Sequence, residues 1–285
     1  MAITINTNVA AINAQRNLSK TQGSLNSSLQ RLSSGLRINS GADDAAGLAI
    51  SEKLKAQIRS LAQAERNAQD GISLLQTADG ALAQVGDIVI RLRELAIQAT
   101  NDTIGDTERG FLDSECHELV EEVDRIGQVT EFNGSKLLYN GASGAITDFV
   151  FQVGINNTSS DRLHVNMGTA FALFGMVHGA VVGASVIAVS TIADARDFID
   201  TMDAIQEIVS ALRSGLGAKQ NRLNVTIANL ATARENLSAA NSRIRDVDVA
   251  EETANLTRSQ ILMQAGVSVL AQANQVPSLA LSLMG

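Results

Sequence analysis

The sequence predicts a mainly α-helical protein built around a long antiparallel coiled-coil or helix-bundle rod. Apolar residues recur every seven positions over residues 54–99 and again over residues 195–244. The chain has a single proline, Pro277, so its helices can run long without interruption. Aromatic residues make up only 3% of the chain, so the core must be packed from aliphatic and alanine side chains, as in helix bundles.

The first rod helix is predicted to cover about residues 47–100. Its main apolar line starts at Leu54, and a second line three residues later is interrupted only by Gln57. Such a heptad seam predicts an unbroken helix, roughly 70 Å long at ~1.5 Å per residue. A third apolar line from Leu74 to Leu95 predicts an additional partner helix. The predicted seam residues are Leu54, Leu61, Leu75, Leu82, Val89 and Leu92.

The second rod helix is predicted to cover about residues 193–244. Apolar residues again fall at sevens, starting from Ala195, and the helix is as long as the first. Two equal rods with a chain reversal between them imply an antiparallel pair whose seams face each other. The predicted seam residues here are Met202, Val209, Leu216, Leu223, Leu230 and Leu237.

A shorter amphipathic helix is predicted at about residues 107–128. Its apolar positions step by three and four, which is the helical period. Cys116 lies on this apolar face and is predicted to be a buried small hydrophobe, whereas His117 points elsewhere. The two therefore do not make a nucleophile–base pair. The apolar positions are Phe111, Leu112, Cys116, Leu119, Val123 and Ile126.

A helix–loop–helix joint is predicted at residues 31–51. Gly35, Gly41 and Gly47, among Ser and Asn residues, interrupt a first helix over residues 8–36. Asp43 or Asp44 can then cap the next helix by accepting from its unpaired backbone N–H groups. Paired aspartates could alternatively form a metal or acid–base site, but no third ligand lies nearby.

Residues 130–190 are predicted to form short β-hairpins. Asn-Gly dipeptides at 133–134 and 140–141 predict turns, and 136–139, 148–153 and 162–165 predict strands. Residues 163–193 carry no Asp, Glu, Lys or Arg, and a stretch of that length could span a bilayer. Repeated glycines favour instead a hairpin or connection partly buried on the bundle.

The two ends of the chain are poor in charge. Residues 1–30 carry only Arg16 and Lys20, and residues 259–285 carry no charge at all. An apolar, uncharged helix left in water aggregates, so each end is predicted to pack on the other and on further copies. The predicted terminal assembly seam consists of Leu18, Leu25, Leu32, Val249, Leu256, Met263 and Leu270.

Composition and motifs exclude several functional classes. The net charge of −8 does not favour a nucleic-acid partner, and the chain has no phosphate loop, metal cluster or nucleophile with a base at useful spacing. No enzymatic activity and no cofactor are predicted. The N-terminus lacks a signal peptide, which predicts either a cytoplasmic location or export without a cleaved signal.

Two functions remain compatible with the pattern. One is a self-assembling structural subunit, and the other is a coiled-coil adaptor or tether that forms a discrete oligomer. Only the first explains why both chain ends are depleted in charge. A head-to-tail contact that does not close would give an open filament.

Several segments resemble bacterial flagellin, the subunit of the flagellar filament. They are RLSSGLRINSGADDAAGLAIS at 31–51, RNAQDGISLLQTADGAL at 66–82, RLRELAIQATN at 91–101, EEVDRIGQVTEFNG at 121–134, FQVGINN at 151–157, ENLSAANSRIRDVD at 235–248 and QILMQAGVSVLAQANQVPSLALSLMG at 260–285. The match covers both termini and roughly 200 residues in the family order, outside a variable region at about 158–194.

The resemblance implies an inner terminal domain, 1–43 with 245–285, formed by a coaxial helix pair that lines the filament channel. It implies a rod domain at 44–244 and no large outer domains. By family, the protein would be exported through the flagellar type III apparatus and polymerise outside the cell for motility. Its expected partners are other copies, an export chaperone, and the hook–filament junction and cap proteins, with no nucleic acid and no membrane span.

The resemblance also implies a contact site for a host Toll-like receptor. The matching positions are Arg91 and Leu95 in RLREL, with Glu115 on the following helix. Cys116-His117 departs from the apolar–polar pair usual beside this Glu. The alternative is that these residues serve first as contacts between subunits.

Overall fold

The computed structural model describes residues 7–138, 148–166, 174 and 189–282, with side chains as far as residue 275. The fold is mainly α, as predicted. Its helices are α1 (Val9–Ser34), α2 (Ala45–Ala99), α3 (Asp106–Val129), α4 (Ile192–Arg245) and α5 (Val249–Ser282). Its strands are β1 (Glu131–Phe132), β2 (Ser135–Lys136), β3 (Phe149–Gln152) and β4 (Arg162–Val165).

By its internal packing the chain forms two compact units. The first consists of Met1–Ile58 and Glu235–Gly285, and the second of Arg59–Arg234. Their boundaries therefore fall inside α2 and α4, further along the rod than the predicted boundaries at 43/44 and 244/245. The assignment of the terminal part to an inner filament domain stays a prediction.

In the first unit, α1 and α5 pack against each other as an antiparallel pair. The Asn8 side chain caps α1 by accepting from Ala11 N, and its Nδ2 donates to the carbonyl oxygen of Ala273 at 2.8 Å. Further along, Gly266 faces a Leu18 methyl group, and Arg31 pairs with Glu252 at 3.5 Å. Residue numbers rise on one helix as they fall on the other, so the two ends of the chain lie side by side.

The segments that follow α1 and α4 are joined by backbone pairing. Leu36 and Asp246 form an antiparallel bridge, and Arg37 N donates to Arg245 O at 2.7 Å. Gly35 ends α1 with a φ of 72°, a left-handed conformation that glycine adopts without strain. The Arg245 guanidinium contacts Glu52 at 2.6 Å, tying the start of α2 to the end of α4 within this unit.

Of the two aspartates that could cap the helix after the joint, Asp44 caps α2. Its Oδ1 accepts from Gly47 N at 2.9 Å. Asp43 instead accepts from the backbone and hydroxyl of Ser40 and from Asn39 N. The Ser40 N–H donor is the main reason why the pKa of Asp43 lies below its usual range. Both carboxylates therefore accept hydrogen bonds from groups of the joint itself, Asp44 as a helix cap and Asp43 within the loop.

In the second unit, α2 and α4 are antiparallel. Three ion pairs connect them: Arg93 with Asp203 at 2.6 Å, Asp79 with Arg213 at 3.0 Å, and Glu65 with Arg234 at 2.8 Å. The α2 members of these pairs are spaced by fourteen residues, which is two heptads, so they flank the seam at one repeated position. The order of the pairs confirms the predicted chain reversal.

The second apolar line of α2 consists mostly of alanine and glycine, and at Gly71 this small size allows other elements to approach the helix closely. A Cβ atom added at Gly71 would lie 3.3 Å from the Phe151 ring and from a Leu223 methyl group. The hairpin and α4 therefore both pack directly onto the α2 backbone at this level.

The third helix, α3, completes the core of this unit, with one difference from its predicted apolar face. Cys116, Val120 and Val123 are buried, but Phe111 is 70% exposed. At the start of α3, Arg109, Leu112 and Cys116 lie on the inward side, and Phe111 lies about 100° around the helix from Leu112. Counting apolar residues at steps of three and four does not reveal which of the adjacent residues Phe111 and Leu112 faces the core.

Both predicted hairpin regions contain antiparallel strands where the chain is described. β1 and β2 pair across Asn133-Gly134, and both turn residues have positive φ values. β3 pairs with β4, placing Phe149 opposite Val165. The strand predicted at 136–139 is shorter than expected, because Leu137 and Leu138 leave the ladder and enter the core. The turn predicted at 140–141 lies outside the described residues, as does most of the uncharged segment 167–190.

Most of segment 163–193, for which a bilayer span was the alternative, lies outside the described residues, so that alternative is not tested. Over the part of the chain that the structure describes, no helix combines the length and the apolar character needed to cross a bilayer.

Candidate functional site: the terminal helices and the rod surface

The predicted terminal seam is only partly buried by the contact between α1 and α5. Leu25 is buried, and five other seam residues are half-buried. Val249, at the first position of α5, is 59% exposed, so the helix pair does not cover it. The half-buried residues are Leu18, Leu32, Leu256, Met263 and Leu270. Their role in contacts between copies stays a prediction.

The same two helices expose a further set of aliphatic side chains that the seam did not predict. Each is between 48% and 60% exposed, and they lie on both α1 and α5. Sequence reasoning missed them because it followed a single line of sevens. The signal that could have found them is the absence of charge, since α5 carries no charged residue after Arg258. The set consists of Val9, Ile12, Leu29, Ile261, Leu262, Val267 and Val269.

The rod seam lies inside the second unit. Leu61, Leu75, Leu82, Val89 and Leu92 of α2 are buried there together with their α4 counterparts. Leu54 and Leu237 belong to the first unit and are half-buried. The buried counterparts on α4 are Met202, Val209, Leu216, Leu223 and Leu230. These side chains form a core and leave no free surface for a partner.

The three residues predicted as a surface contact are not equally accessible. The Arg91 guanidinium donates to Glu115 at 2.9 Å and to Glu94 at 3.3 Å, and its hydrogen bond with Glu115 raises the pKa of Arg91. Leu95, in contrast, is 1% exposed. Leu95 belongs to the apolar line of α2 that packs in the core, so its side chain is buried in this conformation, and its role as a contact residue stays a prediction.

Cys116 is the one candidate nucleophile that the sequence analysis considered. It is buried, and desolvation raises the pKa of its thiol to about 12. A thiolate is the reactive form of cysteine, so this side chain is inert in the folded protein. His117 on the next position is exposed. Within the described ranges, no group of three His, Cys, Asp or Glu residues could hold a metal ion.

A shallow polar groove of about 360 Å³ lies between α2 and the segment after β3. Its lining is dominated by amide side chains, including Asn67, Gln152, Asn156 and Asn157. Asn67 Nδ2 donates to Gln152 O at 3.1 Å, so part of this polarity serves to dock the hairpin. The lining includes one hydroxyl, that of Ser60, but no acidic or basic side chain that would activate it.

Comparison with known proteins decides between the two remaining functions. A family profile described as the bacterial flagellin N-terminal helical region matches residues 5–142, and one for the bacterial flagellin C-terminal helical region matches residues 199–284. This chain belongs to the bacterial flagellin family. It is 46% identical over 280 residues to a flagellin of Halalkalibacterium halodurans, a match that covers 98% of this chain and 99% of the relative.

Other flagellins agree over nearly the full length of the chain. The flagellin of Bacillus subtilis is 42% identical over 302 residues, covering 98% of this chain and 99% of its own. A solved structure described as a putative flagellar hook-associated protein from Vibrio parahaemolyticus superposes with a TM-score of 0.56 at 12% identity. It covers 72% of this chain and 100% of its own, and it supports the fold alone.

Membership in the flagellin family assigns the function class. Flagellins are structural subunits that polymerise into the flagellar filament, so the chain is a filament protein and not an enzyme. Its place of action is the extracellular flagellum. The comparisons give no support to the alternative of a coiled-coil adaptor.

Proposed function

We propose that the α1–α5 pair is the surface through which copies of this flagellin polymerise. The observation that carries the proposal is the set of seven exposed aliphatic side chains on two nearly uncharged helices. Exposed apolar area of this kind is unfavourable in water and is removed when another copy covers it. Burial on assembly would therefore drive the reaction.

The free subunit would hold this pair only weakly. In the α1–α5 pair, Leu25 is the only hydrophobic residue that the structure describes as fully buried. Helices gain most of their stability from packing of an apolar face, so a pair with little buried area frays in the monomer. In the filament, neighbouring copies would cover both helices and order them.

Limited proteolysis tests this order of events. Residues 1–40 and 245–285 should be cleaved in the monomer and protected in the filament, whereas the unit Arg59–Arg234 should resist cleavage in both. Equal cleavage of the ends in both states would contradict the proposal. Deletion of residues 260–285 should abolish polymerisation while the remaining chain stays soluble.

A matched pair of point variants separates surface hydrophobicity in general from the proposed surface. Val269→Asn on α5 and Val225→Asn on α4 change side chains that are 54% and 62% exposed. Only Val269→Asn should raise the critical concentration for assembly. If Val225→Asn has the same effect, the terminal pair has no special role.

We further propose the route and the partners that the family resemblance implies. The chain would leave the cell through the flagellar type III apparatus. An export chaperone would cover the charge-free end of α5, and the filament would grow between the hook–filament junction and cap proteins. An aggregation-prone uncharged helix is the segment that most needs cover before export. Retention of the α5 deletion variant in the cytoplasm, measured by fractionation, would support this route, and normal secretion would count against it.

A contact with a host Toll-like receptor is a second proposal, now limited to Arg91 and Glu115. Both side chains are exposed and form one ion pair across α2 and α3. A reporter-cell assay comparing Arg91→Ala with Arg93→Ala tests it, because Arg93 is the neighbouring arginine and pairs elsewhere. Loss of signalling with both variants, or with neither, would argue against a receptor contact at Arg91.

A further inference from the structure

The polar groove between α2 and the loop after β3 lies outside the proposed assembly surface. All of its lining residues belong to the unit Arg59–Arg234. Ser60, Gln63, Ala64 and Asn67 come from one face of α2, since they are spaced by three and four residues. The volume of about 360 Å³ falls within the range of small-molecule sites, roughly 300–1,000 Å³. The groove therefore has the size needed to hold a small molecule.

The floor of the groove is fixed by a chain of side-chain amides. Gln63 Nε2 donates to Asn67 Oδ1 at 2.9 Å, and Asn67 Nδ2 donates to Gln152 O at 3.1 Å. Gln152 Nε2 in turn donates to the carbonyl oxygens of Gly154 and Asn156, both at 2.9 Å. These bonds connect α2 with the loop and hold the groove in one shape. A site that is ordered in advance loses less entropy when it binds a ligand.

Three polar side chains at the groove keep hydrogen-bonding capacity for a ligand. Among the described residues, neither the Ser60 hydroxyl nor the Asn156 side-chain amide has a hydrogen-bond partner. Asn157 uses only its Oδ1, which accepts from Arg162, so its Nδ2 can still donate. All three are exposed, Ser60 on α2 and the two asparagines on the loop. A ligand between them can therefore bind to both walls of the groove.

The chemistry of these groups matches that of a sugar. Hydroxyl and amide side chains both donate and accept hydrogen bonds, as each hydroxyl of a sugar does. Ile155, which is 37% exposed, also lines the groove and offers an apolar surface to the C–H groups of a sugar ring. The groove thus combines polar groups of both kinds with one apolar contact.

The charges around the groove cancel, which favours a neutral ligand. The lining itself contains no charged side chain. On α2 between residues 56 and 71, and on the segment 153–162, three positive side chains face three negative ones in number. An anionic or a cationic ligand would therefore gain little net attraction. The charged residues are Arg59, Glu65, Arg66, Asp70, Asp161 and Arg162.

A peptide is less suited to the groove than a sugar. A peptide segment that adds to a strand or loop binds through backbone N–H and C=O groups. Here the carbonyl oxygens of Gly154 and Asn156 already accept from Gln152. The N–H groups of Val153 and Asn156 already donate to Asp161, each at 2.8 Å. The groups that remain for a ligand are therefore side chains.

We infer that this groove binds a neutral saccharide of one or two rings. Ser60, Asn156 and Asn157 bond to its hydroxyl groups, and Ile155 contacts one face of its ring. The binding is weak, because the groove is shallow and supplies few hydrogen bonds. This site goes beyond polymerisation, since it lies outside α1 and α5, and the flagellum carries it into surroundings where sugars occur.

Saturation-transfer difference NMR on the monomeric full chain tests the site. The probes are four neutral disaccharides: maltose, cellobiose, lactose and chitobiose. At least one should receive saturation on its ring protons and give a dissociation constant in the millimolar range. Glucuronic acid and triglycine serve as the anionic and the peptide comparison, and both should give weaker signals.

A matched pair of variants locates the binding. Asn156→Ala should raise the dissociation constant of the bound disaccharide by roughly three- to tenfold, the effect of losing one or two hydrogen bonds. Asn221→Ala is the control, because Asn221 is also exposed but lies on α4 and does not line the groove. It should bind like the wild type. Circular dichroism melting curves establish that both variants are folded.

Three results would overturn the inference. One is the absence of saturation transfer to all four disaccharides. Another is a stronger signal from glucuronic acid or triglycine than from every disaccharide. The third is an equal dissociation constant for Asn156→Ala and Asn221→Ala, which would place the binding elsewhere. Because sugar binding is measured on the monomer, these results leave the proposed assembly surface to its own tests.

Discussion

The end of the first rod helix is held by a buried arginine. Arg109 of α3 donates from Nε to the carbonyl oxygen of Ala99 at 3.0 Å and from Nη2 to that of Asn101 at 3.3 Å. Its side chain is 8% exposed. The last carbonyl groups of a helix have no partner within the helix, so this guanidinium supplies donors that α2 lacks.

Replacing Arg109 with Met keeps the aliphatic stem and removes these donors. Hydrogen bonds from a charged group contribute about 1.5–3 kcal/mol each, and water can partly replace them at a helix end. We expect the free energy of unfolding to fall by about 2–3 kcal/mol. The ion pair with Asp106 adds little, because that carboxylate is 95% exposed.

Urea denaturation of the monomer, followed by circular dichroism, measures this change. Arg125→Met is the control, since Arg125 lies on the same helix and pairs with Glu122 but is 59% exposed. The control should lose less than about 0.5 kcal/mol. The reasoning is refuted if Arg109→Met costs no more than the control, because the burial of the guanidinium would then have no energetic consequence.

Three further predictions concern the rod, the joint and the buried thiol. Gly71→Leu should lower the free energy of unfolding by about 1–3 kcal/mol, because the larger side chain overpacks the contact with the hairpin. Gly80→Leu meets open space and should raise the free energy of unfolding by about 0.5–1 kcal/mol. Equal effects of the two variants in urea melts would contradict the close packing at Gly71. The lowered pKa of Asp43 means that its contribution to stability is present above the unfolded pKa near ~3.9 and is lost as pH falls through the folded pKa. The protection factor of the Ser40 amide, which corrects for the intrinsic exchange rate, should therefore fall as the pH drops through the lowered pKa of Asp43, and Asp43→Asn should abolish that pH dependence. Cys116 should resist alkylation at pH 8 in the native protein and react once urea unfolds it; rapid native labelling, read by mass spectrometry, would show that the thiol is not buried.

The sequence was most informative for α2 and α4, because both helices carry apolar residues at the same seven-residue spacing. The seams of α2 and α4 are predictable because an apolar residue every seven positions must face one side of a helix. Leu82 and Leu223 need no other information to be placed in the core. The chain reversal follows from the equal length of the two helices.

The sequence was less informative where one residue could serve either of two faces. Leu95 belongs to both the RLREL motif and a third apolar line, and only the position of α3 shows that the line buries it. Phe111 and its neighbour Leu112 are both apolar, but only Leu112 lies on the side of α3 that packs on the core. The exposed aliphatic residues of α1 and α5 lie outside the single seven-residue line. Their exposure is known only from the packing of the folded chain.

The three ion pairs between α2 and α4 restrict how the two helices can slide. Because the apolar residues recur every seven positions, the seams of α2 and α4 could match in several registers. Aliphatic side chains alone would not distinguish these registers well. A slip of one heptad places Arg213, Arg234 and Asp203 opposite uncharged residues. A slip of two heptads brings Arg213 to Arg93 in one direction and Asp203 to Asp79 in the other. Each of these registers keeps one attractive pair, Arg234 with Asp79 or Arg213 with Glu65, in place of the three native pairs. Each displaced register thus loses attraction or gains repulsion, and the charges give a repetitive rod one preferred alignment.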